Sequence, residues 1–217
     1  MLSDFHSLIN DALSGATVST EARDRALSSA LALYSKDRPR ELIRDVTAGA
    51  GKTLPLPEGW VALWSRLVAI EYPLGEFPLS FLDADKYGAY GTPSGDLIGL
   101  VDAITAGAAV RVTFTAPHVV SADADSVPLD HRGPVASLAA SLLAEQIATS
   151  HANDGPPSIV ADSADQSHPA REWSMRARAL KKQYSDAISK APGALAPAGV
   201  VVAPVPSRER LLRRVRR

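Results

Sequence analysis

The segment Gly49-Ala50-Gly51-Lys52-Thr53 has the residue types of a phosphate cradle, in which loosened backbone amides wrap an anion and a lysine neutralises it. A complete loop of that kind needs a glycine five positions before the Gly-Lys pair and a helix directly after it. Val46 occupies the first position, and Leu54-Pro55-Leu56-Pro57-Glu58-Gly59 is a poor helix start. The segment is therefore expected to be an exposed turn. The five histidines, His6, His118, His131, His151 and His168, form neither a HExxH helix nor a close pair. Asp123, Asp125, Asp130 and His131 are the clearest mixed cluster. Such groups bind a metal or relay protons only if they converge, and Pro128 falls among them, so a solvent-facing acidic loop is expected. Asp83, Asp85 and Gly88 resemble a fragment of a calcium loop, but Tyr87 and Ser94 stand where oxygen ligands belong.

Nucleophiles fare no better. There is no cysteine, which removes thiolate chemistry, disulfides and Cys-ligated zinc. No Gly-x-Ser-x-Gly elbow presents a serine. Trp60 and Trp64 are spaced to stack on a ligand if helical, with packing at a module edge as the plainer role. Trp173 is expected in an apolar core or a subunit contact. The residues point to no catalytic, cofactor or metal site, and to a protein that is not an enzyme.

The elements that would position any site read as follows. Phe5, Leu8, Ile9, Ala12 and Leu13 recur at helical spacing after Ser3, a plausible cap. Thr20 is placed to cap a second helix over about 21–34, with Ala26, Leu27, Ala30, Leu31 and Tyr34 as its apolar stripe and Pro39 forbidding continuation. Residues 41–47 and 60–72 are expected to be strand-like, although part of the second could be helical by spacing. Phe77, Leu79 and Phe81 alternate with their neighbours in strand fashion. Shorter strands are expected near 87–90, 97–101 and 109–116, the last with Val110, Val112 and Phe114 alternating against Arg111, Thr113 and Thr115. Helical periodicity returns at Gly133-Pro134, with Val135, Leu138, Leu142, Leu143 and Ile147 on the buried side. Residues 151–157 are expected to be a loop. A last helix over about 170–190 places Trp173, Ala177, Leu180, Tyr184 and Ile188 on one face.

The fold class is thus α+β: an α-helical bundle with an inserted antiparallel β module and an extended C-terminal arm. Residues 1–38 and 121–190 form the bundle, 39–120 the module and 191–217 the arm. The 217 residues, 46% hydrophobic and 22% charged, suffice for a sizeable core without metal or disulfide support. The chain starts with neither a basic leader nor a long apolar run, so synthesis and assembly in a cytoplasm are expected.

The formal net charge of −1 conceals an asymmetry: residues 208–217 carry +5 and the remainder −6. The arm contains Pro192, Pro197, Pro204 and Pro206, which favour an extended chain. Its tip contains Arg208, Arg210, Leu211, Leu212, Arg213, Arg214, Arg216 and Arg217, and could form one or two helical turns on a partner's surface. Composition leaves open a surface arm, protein docking, phosphate contact with nucleic acid and membrane association; without aromatic residues in the tip, base stacking is not available.

Four stretches carry a resemblance. They are Tyr34-Ser35-Lys36-Asp37-Arg38-Pro39-Arg40, Val68-Ala69-Ile70-Glu71-Tyr72-Pro73-Leu74-Gly75, Val110-Arg111-Val112-Thr113-Phe114-Thr115-Ala116-Pro117-His118, and Ala136-Ser137-Leu138-Ala139-Ala140-Ser141-Leu142-Leu143-Ala144. Their order over roughly residues 1–190 is similar to that of the head-to-tail adaptor (connector, neck) proteins of tailed bacteriophages. The resemblance implies a non-enzymatic virion protein at the head-tail junction, assembled in the host cytoplasm as a ring, usually a dodecamer. It implies a portal protein on one side, a downstream tail or neck protein on the other, and a DNA channel giving nonspecific contact with DNA. It also implies that the C-terminal arm docks on the portal, which would assign that role to the proline and arginine residues named above. No cofactor and no membrane enter this picture. The competing expectations are a nucleic-acid-binding accessory protein using the Arg-rich terminus, and a small hydrolase.

Overall fold

In the computed structural model, residues 1–93, 95–153 and 169–189 are described. Helix α1 (Leu2–Ala12) begins at Met1, whose carbonyl accepts Asp4 N–H at 3.1 Å. Ser3 lies inside the helix and is not its cap. Ser14 and Gly15 end it with φ of 51° and 78°, the left-handed geometry that stops a helix. Helix α2 (Thr20–Asp37) is capped one residue earlier than expected, because the Ser19 side chain accepts Ala22 N–H at 3.2 Å. It runs to Asp37, three residues beyond the expected end. Arg38, with φ −139° and ψ 78° before Pro39, terminates it.

Helix α3 (Leu129–Asn153) departs most from expectation. It begins one turn before Gly133-Pro134, with His131 N–H on Pro128 C=O at 2.9 Å, and Pro134 sits inside the helix. It also continues through His151, where a loop is expected. From Val135 to Ala144 nearly every side chain is buried, including Ser137 and Ser141. Leu142 and Ile147, expected inside, are half-buried. A helix apolar all round must lie at the centre of its bundle, and its small residues let neighbours approach closely. Helix α4 (Pro169–Ser189) buries Ala177, Tyr184 and Ile188, with Trp173 and Leu180 packed at the margin. Phe5, Ile9, Leu13, Leu27 and Tyr34 complete this first core.

Among the described residues, the second core belongs to six strands in two antiparallel sheets. One has the order β1 (Arg40–Thr47), β6 (Ala109–Ala116), β3 (Leu67–Glu71); the other has β2 (Thr53–Leu54), β5 (Gly95–Leu100), β4 (Tyr87–Thr92). Strand β6 has the alternation predicted for it: Val110, Val112, Phe114 and Ala116 are buried. Ile70, Ile98, Leu100 and Leu54 bring both sheets into one core. Tyr90 crosses Gly99, where an added Cβ would lie 2.8 Å from the ring and push it aside.

Two strand expectations are corrected. Trp60 to Ser65 lie outside any strand, with a turn over 62–64; Arg66 bonds to Thr115 at the edge of β6, and the strand itself is Leu67–Glu71. Phe77, Leu79 and Phe81 form no strand; Phe81 alone makes an isolated bridge to Glu71. Pro78 within that stretch, and Pro73 and Gly75 before it, interrupt the donors and torsions a ladder needs. The architecture remains a four-helix bundle carrying an inserted antiparallel β module.

Candidate functional site

The two chain crossings between bundle and module lie side by side, because Arg40 pairs with Ala116 across β1 and β6. His118, just past the second crossing, ties them to the bundle. Its N–H donates to Ser35 Oγ at 2.9 Å. Its ring Nε2 lies 3.0 Å from Arg38 C=O, and Nδ1 lies 2.9 Å from Ser126 C=O and 3.1 Å from Ser126 Oγ. Burial pushes the imidazole pKa down, against the raising effect of its two backbone hydrogen bonds. Tyr34 packs beside it, ring centroids 4.7 Å apart, and its hydroxyl is 2.6 Å from His131 Nδ1. Burial first, then Asp130, raises the Tyr34 pKa.

The neighbouring contacts are equally structural. Arg38 Nη2 donates to Ile188 C=O at 2.6 Å, and Tyr184 O–H to Asp37 at 2.6 Å. Burial, then that hydrogen bond, holds the Tyr184 pKa well above its usual value. His118 and His131 thus converge on Tyr34, although their spacing in sequence does not announce it. Ser126 Oγ, the hydroxyl nearest His118, also accepts Val119 N–H at 2.8 Å and donates to Val119 C=O at 3.2 Å. Most of the cluster's bonds end on backbone groups, so it links bundle and module as a latch.

A charged ladder crosses the first sheet. Arg111 donates Nε to Asp45 Oδ1 at 2.8 Å and Nη2 to Oδ2 at 3.1 Å, while Nη1 lies 3.5 Å from Glu71 Oε2. The register places Asp45 and Glu71 opposite Arg111 on adjoining strands. Glu71 is only 5% exposed. The hydrogen bond from Arg111 holds the Asp45 pKa below its usual range.

The module also exposes apolar side chains. Leu63 is 100% exposed in a left-handed conformation with φ of 64°, and Phe77 is 98% exposed. Leu79 and Phe81 follow Phe77 in the same loop, each more than half exposed. Ile43, Val68, Tyr90 and Val101 add further exposed apolar surface. A non-glycine residue at positive φ is uncommon, and apolar side chains gathered into one contiguous exposed patch mark contact surfaces.

The other expected sites resolve individually. Gly49 to Lys52 leads into β2 instead of a helix, and Lys52 C=O accepts Leu100 N–H at 2.8 Å. Asp125 caps Val127 N–H at 2.8 Å and pairs with Arg132 at 2.7 Å, so it turns inward, while Asp123 is exposed. Asp83 pairs with Lys86 at 3.6 Å. Among the described residues no group of three or more His, Asp or Glu is placed to hold a metal. Trp60 packs on Phe114 and donates to Asp96 at 3.0 Å. Trp173 lies half-buried beneath Arg176, 5.5 Å from the ring centre. His6 meets Asp24 at 2.7 Å, and His151 lies in the last turn of α3. His168 and the arm residues Pro192, Pro197, Pro204, Pro206, Arg208, Arg210, Leu211, Leu212, Arg213, Arg214, Arg216 and Arg217 lie outside the described residues. Sequence reasoning missed the Tyr34–His118–His131 latch, the Asp45–Arg111–Glu71 ladder and the exposure of Leu63 and Phe77. No family model matches the chain, and no curated protein matches it.

Proposed function

We propose that this chain is a structural virion protein, a head-to-tail adaptor that forms a ring between portal and tail of a tailed bacteriophage and continues the DNA channel. The observation that carries the proposal is the apolar surface of the β module, with Leu63 and Phe77 almost wholly in solvent. Covering such side chains in a neighbour stabilises an assembly by about 25 cal/mol per Å² of apolar surface buried. In this reading the helical bundle makes lateral ring contacts and the module meets the downstream tail or neck protein. The Arg-rich tip of the arm over 191–217 reaches the portal, and repetition around the ring multiplies weak individual contacts. The net −6 of residues 1–207 suits a channel wall that does not grip DNA.

Mass measurement of the purified chain with and without its portal tests this. A ring-sized species and a portal complex are expected; a persistent monomer with no portal association at several salt concentrations overturns it. The Arg-rich tip keeps a nucleic-acid-binding accessory protein as the competing reading. Deleting residues 208–217 separates the two: the adaptor loses portal association and keeps any DNA binding, whereas the competitor does the reverse.

A further inference from the structure

Strand β1 has an open edge. Ala48 N–H donates to Ala108 C=O beside the start of β6, and Thr115 N–H of β6 donates to Arg66 C=O on the side of β3. Alternation along an antiparallel ladder then turns Leu42, Arg44 and Val46 toward β6, and Glu41, Ile43, Asp45 and Thr47 outward. Among the described residues, no backbone group pairs with those four outward positions. The opposite edge of the same sheet is closed: Leu82 N–H donates to Ile70 C=O at 2.8 Å, Tyr72 N–H to Ser80 C=O at 2.9 Å, and the Tyr87 hydroxyl to Val68 C=O at 3.2 Å. Ile43, at the centre of the open edge, is 56% exposed, and Leu42 and Val46 on the other face are half-buried.

We propose that residues 199–206 of the same chain add to this edge as a seventh strand. Gly199-Val200-Val201-Val202-Ala203-Pro204-Val205-Pro206 is a run of the best strand formers bounded by glycine and proline. Its prolines are placed for an edge. Successive N–H groups of an extended chain point to opposite sides, so Val201, Ala203 and Val205 share one side, and Val200, Val202, Pro204 and Pro206 the other. With the first set turned to β1, both prolines face outward, where a missing donor costs nothing and blocks further strand addition. The valines then cover Ile43 on one face and Leu42 and Val46 on the other. Arg44, whose Nη1 donates to Ile43 C=O at 3.0 Å, is displaced from that acceptor by the new strand.

Proximity selects the chain's own arm as the occupant. Helix α4 ends at Ser189, and Ile188 C=O accepts from Arg38, two residues before β1. Residues 190–198 extend to about 30 Å, and the eight residues of β1 run about 27 Å, so the linker spans the edge. Tethering at this length supplies an effective concentration on the order of millimolar. The added strand shields an edge that would otherwise template pairing between copies.

Amide hydrogen exchange on the full chain tests this, and stands apart from the adaptor reading because it needs no portal. Val201→Pro with Ala203→Pro removes two donors that face β1; Val200→Pro with Val202→Pro removes only outward ones. The first pair is expected to speed exchange at Glu41, Ile43 and Asp45 at least about tenfold, leaving Val112 of β6 unchanged, and the second to leave all of them within about twofold. Equal exchange in the original chain and both variants, or an equal effect of the two pairs, overturns the strand and its register. Protection that rises with protein concentration overturns the same-chain occupant.

Discussion

At the scale of single residues, His118 carries the clearest pH-dependent role. Its ring faces Tyr34 and the Arg38 and Ser126 carbonyls, with Arg40 and His131 nearby. Burial lowers its folded pKa, so the unfolded chain binds the extra proton first as pH falls. The stabilisation is complete above the ordinary value of about 6.5 and is lost as pH falls through the folded value. His118→Gln is expected to lower stability at neutral pH by about 1–3 kcal/mol and to flatten its dependence below about pH 6.5, read by urea unfolding at a series of pH values. Arg111 supports a different expectation. Arg111→Ala leaves the buried Glu71 carboxylate without its neighbouring cation, and Arg111→Ala with Glu71→Gln is expected to recover part of the lost stability in a double-mutant cycle. Equal instability of the single and double variants would show that Glu71 does not depend on the pair. Neither site was legible beforehand. Asp45, Glu71 and Arg111 meet only through strand register, and His118 meets Tyr34 only when two crossings lie together; local sequence patterns encode neither.

At the scale of elements, legibility tracked how local the determining forces are. The stripe of α2 and the alternation of β6 are set by burial of one face, which a period of 3.6 or 2 records directly. The cap of α2 rests on a single hydrogen bond, and Ser19→Ala is expected to cost about 1 kcal/mol, measurable as a lower urea midpoint with unchanged slope. The start of α3 misled because Gly133-Pro134 has the residue types of a first turn. The chain instead gains an earlier turn that carries His131 to Tyr34, with Pro134 accommodated inside the helix. Alternation also misled at Phe77, Leu79 and Phe81, where proline and glycine deny the ladder and leave the side chains in solvent. That exposure makes the loop separable from stability. Phe77→Ser with Leu79→Ser is expected to leave the thermal midpoint within a few degrees, because these side chains contribute little to either core, while weakening association with the proposed tail-side partner. A large drop in the midpoint would place them in the fold's own packing.

At the scale of the whole molecule, two kinds of surface coexist, and they respond to salt in opposite ways. The β module offers apolar side chains, whose burial is strengthened by excluded salts such as sulfate. The arm offers a tip of +5 on a chain whose remainder carries −6, and attraction through exposed charges fades as the screening length falls from about 10 Å at 0.1 M to about 3 Å at 1 M. An adaptor using both should therefore come apart in stages. Raising the salt is expected to release the portal contact first, while ring-sized species held by apolar and helical contacts persist. Deleting residues 208–217 should reproduce the released state at low salt and remove most of the remaining salt dependence, since the charges responsible are then absent. Mass measurement across a salt series, with the full chain and the deletion compared at equal concentration, reads both effects. Simultaneous loss of ring and portal contact at every concentration would mean that one surface serves both neighbours, contradicting the separate roles assigned to bundle, module and arm.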